Sequence, residues 1–231
     1  MIRAVLFDVG GPLNTEDAFE AAIDADIREG LTREGFVVDD AAWNEAHAWA
    51  VYTCAPSVYR SMIWRLSGNN LPASLRIYEW MESRSAQRDI FELHDGIADV
   101  LAALHAKGLK LGLAANQPAK TIEQLIQHGI GHYFQNHGVS GVYGFRKPDI
   151  RLFLRACEEL GVAPDQCIMV GDRIDNDVVP ANLLGMRTVR IVTGRHRDQK
   201  PRSWDEMPDF EVADAAGILQ AIESILEKDR T

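Results

Sequence analysis

Four short apolar runs, each followed by a polar or glycine-rich loop, constrain the fold of this chain more than any other feature. Their approximate ranges are 2–7, 109–114, 167–170 and 188–192. Apolar runs of this length are typical of strands buried on both faces of a parallel sheet. Amphipathic helical patterns that stop before a glycine occupy roughly 97–104, 122–126 and 152–160. The alternation predicts βαβ units, and therefore a doubly wound parallel α/β sheet with helices on both faces.

One long segment interrupts this alternation. From about residue 16 to residue 91 the sequence offers helical patterns and no convincing strand, and this segment contains four of the five tryptophans. We predict a helical insertion with its own aromatic core, in which Pro56 and Pro72 mark breaks between helices. The predicted domains are residues 1–15 and 92–231 for the α/β core and residues 16–91 for the helical insertion.

Composition excludes several classes of protein. The chain has 34 acidic and 24 basic residues and a formal charge of −10, which argues against nucleic acid, because that partner requires a basic surface. The three cysteines (Cys54, Cys157 and Cys167) suggest neither a disulfide framework nor a zinc site. We find no signal peptide and no run of about 20 apolar residues, so we expect a cytoplasmic protein outside the membrane. A monomer and a homodimer both fit the sequence.

Charged and amide side chains follow the predicted strands, at the edge where open parallel sheets bind ligands. Asp8 follows the first run, Asn116 the second and Asp172 the third. Lys147 and a further carboxylate, Asp177, lie in nearby loops. Carboxylates from different strands, together with a lysine, suit a hard cation that holds a phosphate group. Each residue also has an ordinary structural interpretation, as a helix cap, a turn residue or a solvated lysine.

In this order the motifs resemble those of the haloacid dehalogenase superfamily, whose members are mostly phosphotransferases and phosphatases that work through an aspartyl intermediate. The resembling segments are residues 7–13, 115–116, 147–148 and 171–177. The resemblance implies a Rossmann-like core and makes the insertion a cap domain of the all-helical type. It further implies a phosphatase that acts on a small phosphorylated metabolite with Mg²⁺ as its cofactor.

The resemblance also implies a role for each matching residue. Asp8 would be the nucleophile, and Lys147 would pair with Asp8 and with the transferred phosphoryl group. Asn116 and Gly11 would contribute to phosphate binding, with backbone N–H groups around them cradling the oxygens. The implied metal ligands are Asp8, Asp172, Asp177 in a supporting role, and the main-chain carbonyl of Gly10.

The sequence departs from the family pattern at three positions. Gly10 replaces a second aspartate that serves as general acid and base, and its loss costs about 10²–10⁴-fold in rate if nothing substitutes for it. Pro12 stands where a threonine or another small residue is usual, and Ala115 where a hydroxyl normally meets the phosphate. Candidate substitutes for the missing acid in the same loop are Asn14, Glu16 and Asp17.

These departures leave two other functions open. A 2-haloacid dehalogenase also uses an aspartate nucleophile under a helical cap, but it needs no metal. Candidates for the arginine that would hold its substrate carboxylate are Arg28, Arg33, Arg60 and Arg65. The second alternative is a protein that binds a phosphorylated metabolite and has lost efficient turnover.

Overall fold

The structure, a computed structural model, describes residues 1–229 of the chain. Its main sheet has six parallel strands, and a separate small sheet pairs two short antiparallel strands. In chain order the strands are β1 (Ala4–Phe7), β2 (Asn14–Thr15), β3 (Glu92–Leu93), β4 (Lys110–Leu113), β5 (Phe134–Asn136), β6 (Cys167–Gly171), β7 (Arg187–Ile191) and β8 (Phe210–Val212). Across the main sheet their order is β5-β4-β1-β6-β7-β8.

Helices connect these strands, and the predicted doubly wound parallel α/β core is confirmed. The helices are α1 (Asp17–Arg33), α2 (Asp40–Tyr52), α3 (Val58–Leu66), α4 (Leu71–Ser85), α5 (Ile97–Ala106), α6 (Lys120–Gln127), α7 (Ser140–Tyr143), α8 (Ile150–Leu160), α9 (Val179–Leu183) and α10 (Ala215–Lys228). None of the helices within residues 1–229 combines the length and the apolar character that a bilayer crossing requires.

The central strand of the sheet is β1, which is buried on both faces, as its unbroken apolar run predicts. It lies between β4 and β6, with Phe7 opposite both Leu113 and Val170. Because these three strands are parallel and end at the same level, the residues that follow them emerge side by side. This edge of the sheet is where the predicted site residues Asp8 and Asp172 lie.

Two strands of the main sheet are missing from the sequence prediction. Both are edge strands of three residues: β5 reads Phe-Gln-Asn and β8 reads Phe-Glu-Val, so neither forms an apolar run. The prolines of the helical segment also differ from each other. Pro56 separates α2 from α3 as predicted, whereas Pro72 lies in the first turn of α4, where a missing N–H costs nothing.

The chain divides into two compact units. The α/β unit comprises residues 1–15, 92–197 and those from 201 onward, and the helical unit comprises residues 16–91 and 198–200. No strand occurs between residues 16 and 91, and helices α1 to α4 fill that segment. The segment 198–200 belongs to this helical unit and lies outside the predicted insertion.

The core of the helical unit is mainly aliphatic, so the expected aromatic core is wrong in part. Trp43 is buried in it, but Trp49 and Trp64 are 48% and 40% exposed. Arg65 stacks over the Trp49 ring at 4.9 Å, which suits an aromatic face turned away from the core. The aliphatic and sulfur-containing members of the core include Ile23, Ile27, Leu31, Met62, Ile63, Ile77 and Met81.

Candidate active site

Three aspartates meet at the carboxyl edge of the main sheet. Asp8 directly follows β1 and Asp172 directly follows β6, while Asp177 lies in a single π-helical turn, Ile174–Val178, that leads into α9. Each aspartate offers one carboxylate oxygen within 4.8 Å of the others, and all three residues are buried. The structure therefore brings together three of the predicted metal ligands.

Two glycines make this close approach of loops sterically feasible. Gly11 has a φ of +86°, and a Cβ there would lie 2.7 Å from the Asp172 Cβ. A Cβ on Gly171 would lie 2.3 Å from the Asp177 carboxyl carbon. Carbon atoms do not approach this closely, so any side chain at either glycine would displace a carboxylate. The Gly11 N–H donates to the Asn14 carbonyl at 3.1 Å, so this phosphate-binding candidate is engaged within its own loop.

Lys147 lies between two of the carboxylates. Its Nζ is 2.7 Å from Asp8 Oδ2 and 2.6 Å from Asp177 Oδ1, and its side chain is only 1% exposed. Burial lowers the pKa of a lysine, but the charges of Asp177 and Asp8 outweigh burial here and raise the pKa of Lys147 above its ordinary value. Lys147 is therefore a fixed positive charge beside the predicted nucleophile.

The cluster carries more negative than positive charge. Burial and the nearby Asp8 raise the pKa of Asp177 to about 6, although Lys147 opposes the shift. Arg173 adds no net charge, because its guanidinium forms two hydrogen bonds to the carboxylate of Asp175. With all its groups ionised, one lysine and three aspartates leave a charge of about −2 in a buried place. We call this cluster undercompensated because its negative charge exceeds its positive charge. Carboxylate oxygens with excess negative charge fit a hard divalent cation.

Asn116 lies close to this cluster, but its amide is engaged by Lys147. Asn116 Oδ1 accepts from the Lys147 N–H at 2.7 Å, and Asn116 Nδ2 donates to the Lys147 carbonyl at 3.0 Å. The neighbouring Ala115 uses its backbone in a similar way: its N–H donates to the Gly138 carbonyl, and its own carbonyl accepts from the Ser140 N–H. The loop after β4 is thus tied to the loops that follow β5.

Two N–H donors contact the Asp8 carboxylate: the Val9 backbone N–H, 2.7 Å from Oδ1, and the Lys147 ammonium on Oδ2. Of the three candidates to replace an acid at position 10, Asn14 is buried, Glu16 is half-buried and Asp17 is exposed. The amide oxygen of Asn14 has no hydrogen-bond partner within the described part of the chain. An amide does not transfer protons near neutral pH, so Asn14 supplies no general acid.

Sequence reasoning overlooked one buried residue next to the site. Arg190, on β7, is completely buried, and its Nε donates to the main-chain carbonyl of Asp172 at 3.0 Å. The same guanidinium reaches Glu211 at 2.8 Å and the His196 carbonyl at 2.8 Å. The signal was present in the sequence, since an arginine interrupts the apolar run at 188–192 and a buried arginine requires several acceptors.

The class of protein that this fold and site define is confirmed by comparison with known proteins. A family model described as haloacid dehalogenase-like hydrolase matches residues 2–185. A glyceraldehyde 3-phosphate phosphatase from Methanopyrus kandleri is 30% identical over 97% of this chain and 99% of its own length. A phosphoserine phosphatase from Thermus thermophilus is 34% identical over 63% of this chain and 57% of its own. The chain belongs to the haloacid dehalogenase-like hydrolase family.

A solved structure shows the same fold. The phosphatase of this family from Thermococcus onnurineus superposes with a TM-score of 0.62 at 24% identity, and the match covers 97% of this chain and 98% of the other. At this identity the likeness concerns the fold alone.

Proposed function

We propose that the protein is a magnesium-dependent phosphatase that hydrolyses a small phosphorylated metabolite through an aspartyl-phosphate intermediate. The observation that carries the proposal is the group of three buried carboxylates, two of which contact one buried lysine. A phosphatase of this kind needs a carboxylate nucleophile, a cation site and a fixed positive charge in one place. The similarity to a glyceraldehyde 3-phosphate phosphatase along nearly the whole chain supports this class of reaction.

The reaction has two displacements at phosphorus. In the first, an Asp8 carboxylate oxygen bonds to phosphorus while the ester bond breaks, and the departing alcohol oxygen keeps the electron pair and takes a proton from solvent. In the second, a water oxygen bonds to phosphorus, the bond to Asp8 breaks and its electron pair returns to the carboxylate. The water protons remain on the released phosphate or pass to solvent. Lys147 stays protonated because its pKa is raised, so it stabilises charge and donates no proton.

The residues that would hold magnesium are the three aspartates and the main-chain carbonyl of Gly10. Lys147 and the Arg173 N–H occupy one oxygen each of Asp177, so this carboxylate supports the site more than it coordinates directly. When bound, magnesium supplies positive charge that offsets the repulsion between carboxylates and phosphate. Asp172 has its main chain fixed by Arg190, which holds the loop in place for coordination.

Phosphate binding in this proposal depends on the loops after β1 and β4. Gly11 is needed in the first of these loops because it has no Cβ. A Cβ there would collide with Asp172, so any other residue would move the loop or the carboxylate. Asn116 contributes next to Lys147, whose ammonium neutralises the transferred phosphoryl group. The helical insertion, residues 16–91, would serve as the cap domain that selects the substrate.

A panel of phosphate esters, assayed with and without magnesium, tests the proposal. It should include glyceraldehyde 3-phosphate, phosphoserine and phosphoglycolate, and we expect turnover that requires both magnesium and Asp8. Turnover that survives in Asp8→Asn, or the absence of turnover on every ester, would refute it.

Two further assays distinguish the alternatives. Chloride release from a 2-chloroacid without added metal would identify a dehalogenase. Thermal stabilisation by a phosphate ester without product would identify a binding protein. The three buried carboxylates favour the phosphatase over both, because a metal-free dehalogenase has no use for a charge of about −2 beside its nucleophile.

We further infer that the protein acts in the cytoplasm, as a monomer or a homodimer, on a small phosphorylated substrate and not on nucleic acid. Its three cysteines are free thiols, which suits a reducing compartment. The formal charge of −10 disfavours a polyanionic partner, whereas one small phosphate meets the local charges of Lys147 and a cation.

A further inference from the structure

We propose that Asn116 is a positioning residue: its side chain clamps the main chain of Lys147 and so sets where the Lys147 ammonium meets the Asp8 carboxylate. This differs from the direct phosphate contact that the family resemblance implies. The inference rests on the proposed function, because it assigns a role to Asn116 within the proposed phosphatase site.

The clamp consists of two hydrogen bonds between one side chain and one residue. Asn116 Oδ1 accepts from the Lys147 N–H at 2.7 Å, and Asn116 Nδ2 donates to the Lys147 carbonyl at 3.0 Å. A primary amide has one acceptor and two donors, so it can satisfy both main-chain groups of a residue, as a neighbouring strand would. Few other side chains have this pair of groups at this length.

Lys147 needs such an anchor because its own segment has no regular structure. Residues 144–149 lie between α7 and α8, outside any helix or strand. The lysine side chain is a flexible four-carbon stem, so the position of its ammonium depends on where the stem begins. Asn116 lies just beyond β4, whose Leu113 is opposite Phe7 of β1. The clamp therefore ties the base of Lys147 to the strand edge that carries Asp8.

The amide has little capacity left for a phosphate. Its carbonyl oxygen and one of its two N–H groups are engaged by Lys147. The carbonyl oxygen would repel phosphate oxygens, so a single N–H remains as the possible direct contact. Most of what Asn116 contributes must therefore pass through Lys147.

A double-mutant cycle tests this dependence, with magnesium and p-nitrophenyl phosphate, whose good leaving group keeps slow variants measurable. We expect Asn116→Ala to lower kcat by about 10²-fold, the scale of a misplaced reacting group. In a Lys147→Ala background, the same change should lower kcat by less than about twofold, because the group to be positioned is gone. Gln117→Ala is the matched control, since the structure records only the main-chain carbonyl of Gln117 as a hydrogen-bonding group.

Two results would overturn the proposal. Equal losses in both backgrounds would show that Asn116 acts independently of Lys147, as a direct phosphate ligand does. An unchanged kcat in Asn116→Ala alone would show that the clamp has no catalytic effect. The melting temperature of each variant shows whether a loss reflects unfolding.

A second measurement needs no activity, so it separates failure of this inference from failure of the proposed function. Lys147 is buried and paired, and should react slowly with an amine-acetylating reagent. Mass spectrometry of the native protein should show acetylation of Lys147 rising on the order of 10-fold in Asn116→Ala, because the segment opens more often. Gln117→Ala should label like the wild type. Identical labelling in Asn116→Ala and the wild type would overturn the clamp even if no ester is hydrolysed.

Discussion

Each of the two units buries a charged cluster, and only one of the clusters has enough positive charge. In the α/β unit, the Lys147 ammonium contacts Asp8 and Asp177, and the Asp172 carboxylate lies within 4.8 Å of both of these carboxylates. In the helical unit, the 2%-exposed Asp26 faces two guanidinium groups: Arg84, whose Nε lies 2.7 Å from Asp26 Oδ1, and Arg88, which contacts Oδ2. Carboxylates outnumber cations in the first cluster, whereas in the second two guanidinium groups contact one buried carboxylate and one of them, Arg84, also lies 4.0 Å from Glu29.

The pKa values of the two clusters shift in opposite directions for this reason. Hydrogen bonds from Arg88 and Arg84 outweigh burial and lower the pKa of Asp26. Burial and Asp8 outweigh Lys147 and raise the pKa of Asp177 to about 6. A balanced buried cluster holds its own unit together, whereas an undercompensated cluster costs stability and is retained for a ligand that completes it. The comparison thus supports the proposal that the cluster of the α/β unit serves a function and that the Asp26 cluster is structural.

The same substitution at each cluster should have opposite consequences, and this is the largest effect expected. Asp8→Asn should lower kcat at least about 10⁴-fold, because an amide is no nucleophile, and should raise the melting temperature in the absence of magnesium. Asp26→Asn should leave kcat of the folded enzyme within about twofold and lower the melting temperature. Steady-state kinetics and thermal unfolding measure both. A melting temperature that falls equally in both variants would contradict the comparison.

Gly10→Asp tests the same cluster by adding a carboxylate to it, whereas Asp8→Asn removes one. An added carboxylate supplies the missing acid and base, and we expect kcat to rise by about 10²-fold. It also adds negative charge to a cluster that already has too much, so stability without magnesium should fall. Gly10→Ala is the control, since it adds a side chain without an acid. A rate gain in both variants, or in neither, would show that proton transfer does not limit turnover.

Magnesium should stabilise only the undercompensated cluster. At a concentration about 100-fold above its dissociation constant, it should add about 2.7 kcal/mol to the free energy of unfolding. Asp172→Asn should lose most of this increment and Asp26→Asn should retain it, as chemical denaturation with and without a chelator would show. An increment that persists in full in Asp172→Asn would place the cation elsewhere.

The smallest effect concerns the stability of the helical unit. Asp26→Asn should cost about 2 kcal/mol, because it weakens two charge-assisted hydrogen bonds. Asp40→Asn, which affects the exposed pair with Arg28, should cost much less. Chemical denaturation near neutral pH compares the two, and equal losses would argue against a special role for Asp26.

The Asp26 contribution should also depend on pH. A carboxyl whose folded pKa is lowered stabilises the protein above its unfolded pKa of about 3.9 and loses this contribution as the pH falls through the folded value. The stability gap between the wild type and Asp26→Asn should therefore close below about pH 4. A gap of constant size down to pH 2 would contradict this assignment.

Sequence patterns predicted the elements whose burial is repetitive. The apolar runs located the four central strands of the main sheet, and the helical insertion showed no strand. The edge strands β5 and β8 were not predicted from the sequence, because partly exposed strands of three residues carry no apolar run. Among site residues, Asp8 and Asp172 were predicted to lie together because both follow strands at one edge of a parallel sheet, whereas Lys147 was assigned to the site by the order of motifs.

What the sequence by itself determined is therefore the α/β class, the helical insertion and the charged residues gathered at the strand ends. Tertiary structure alone decided which partner each polar group meets. Asn116 lies 31 residues from Lys147, and Asp26 lies 58 and 62 residues from its two arginines. Periodicity records which face of an element is buried, because burial repeats along the chain. A hydrogen bond between distant loops leaves no such repeat, so it is set only when the loops fold against each other.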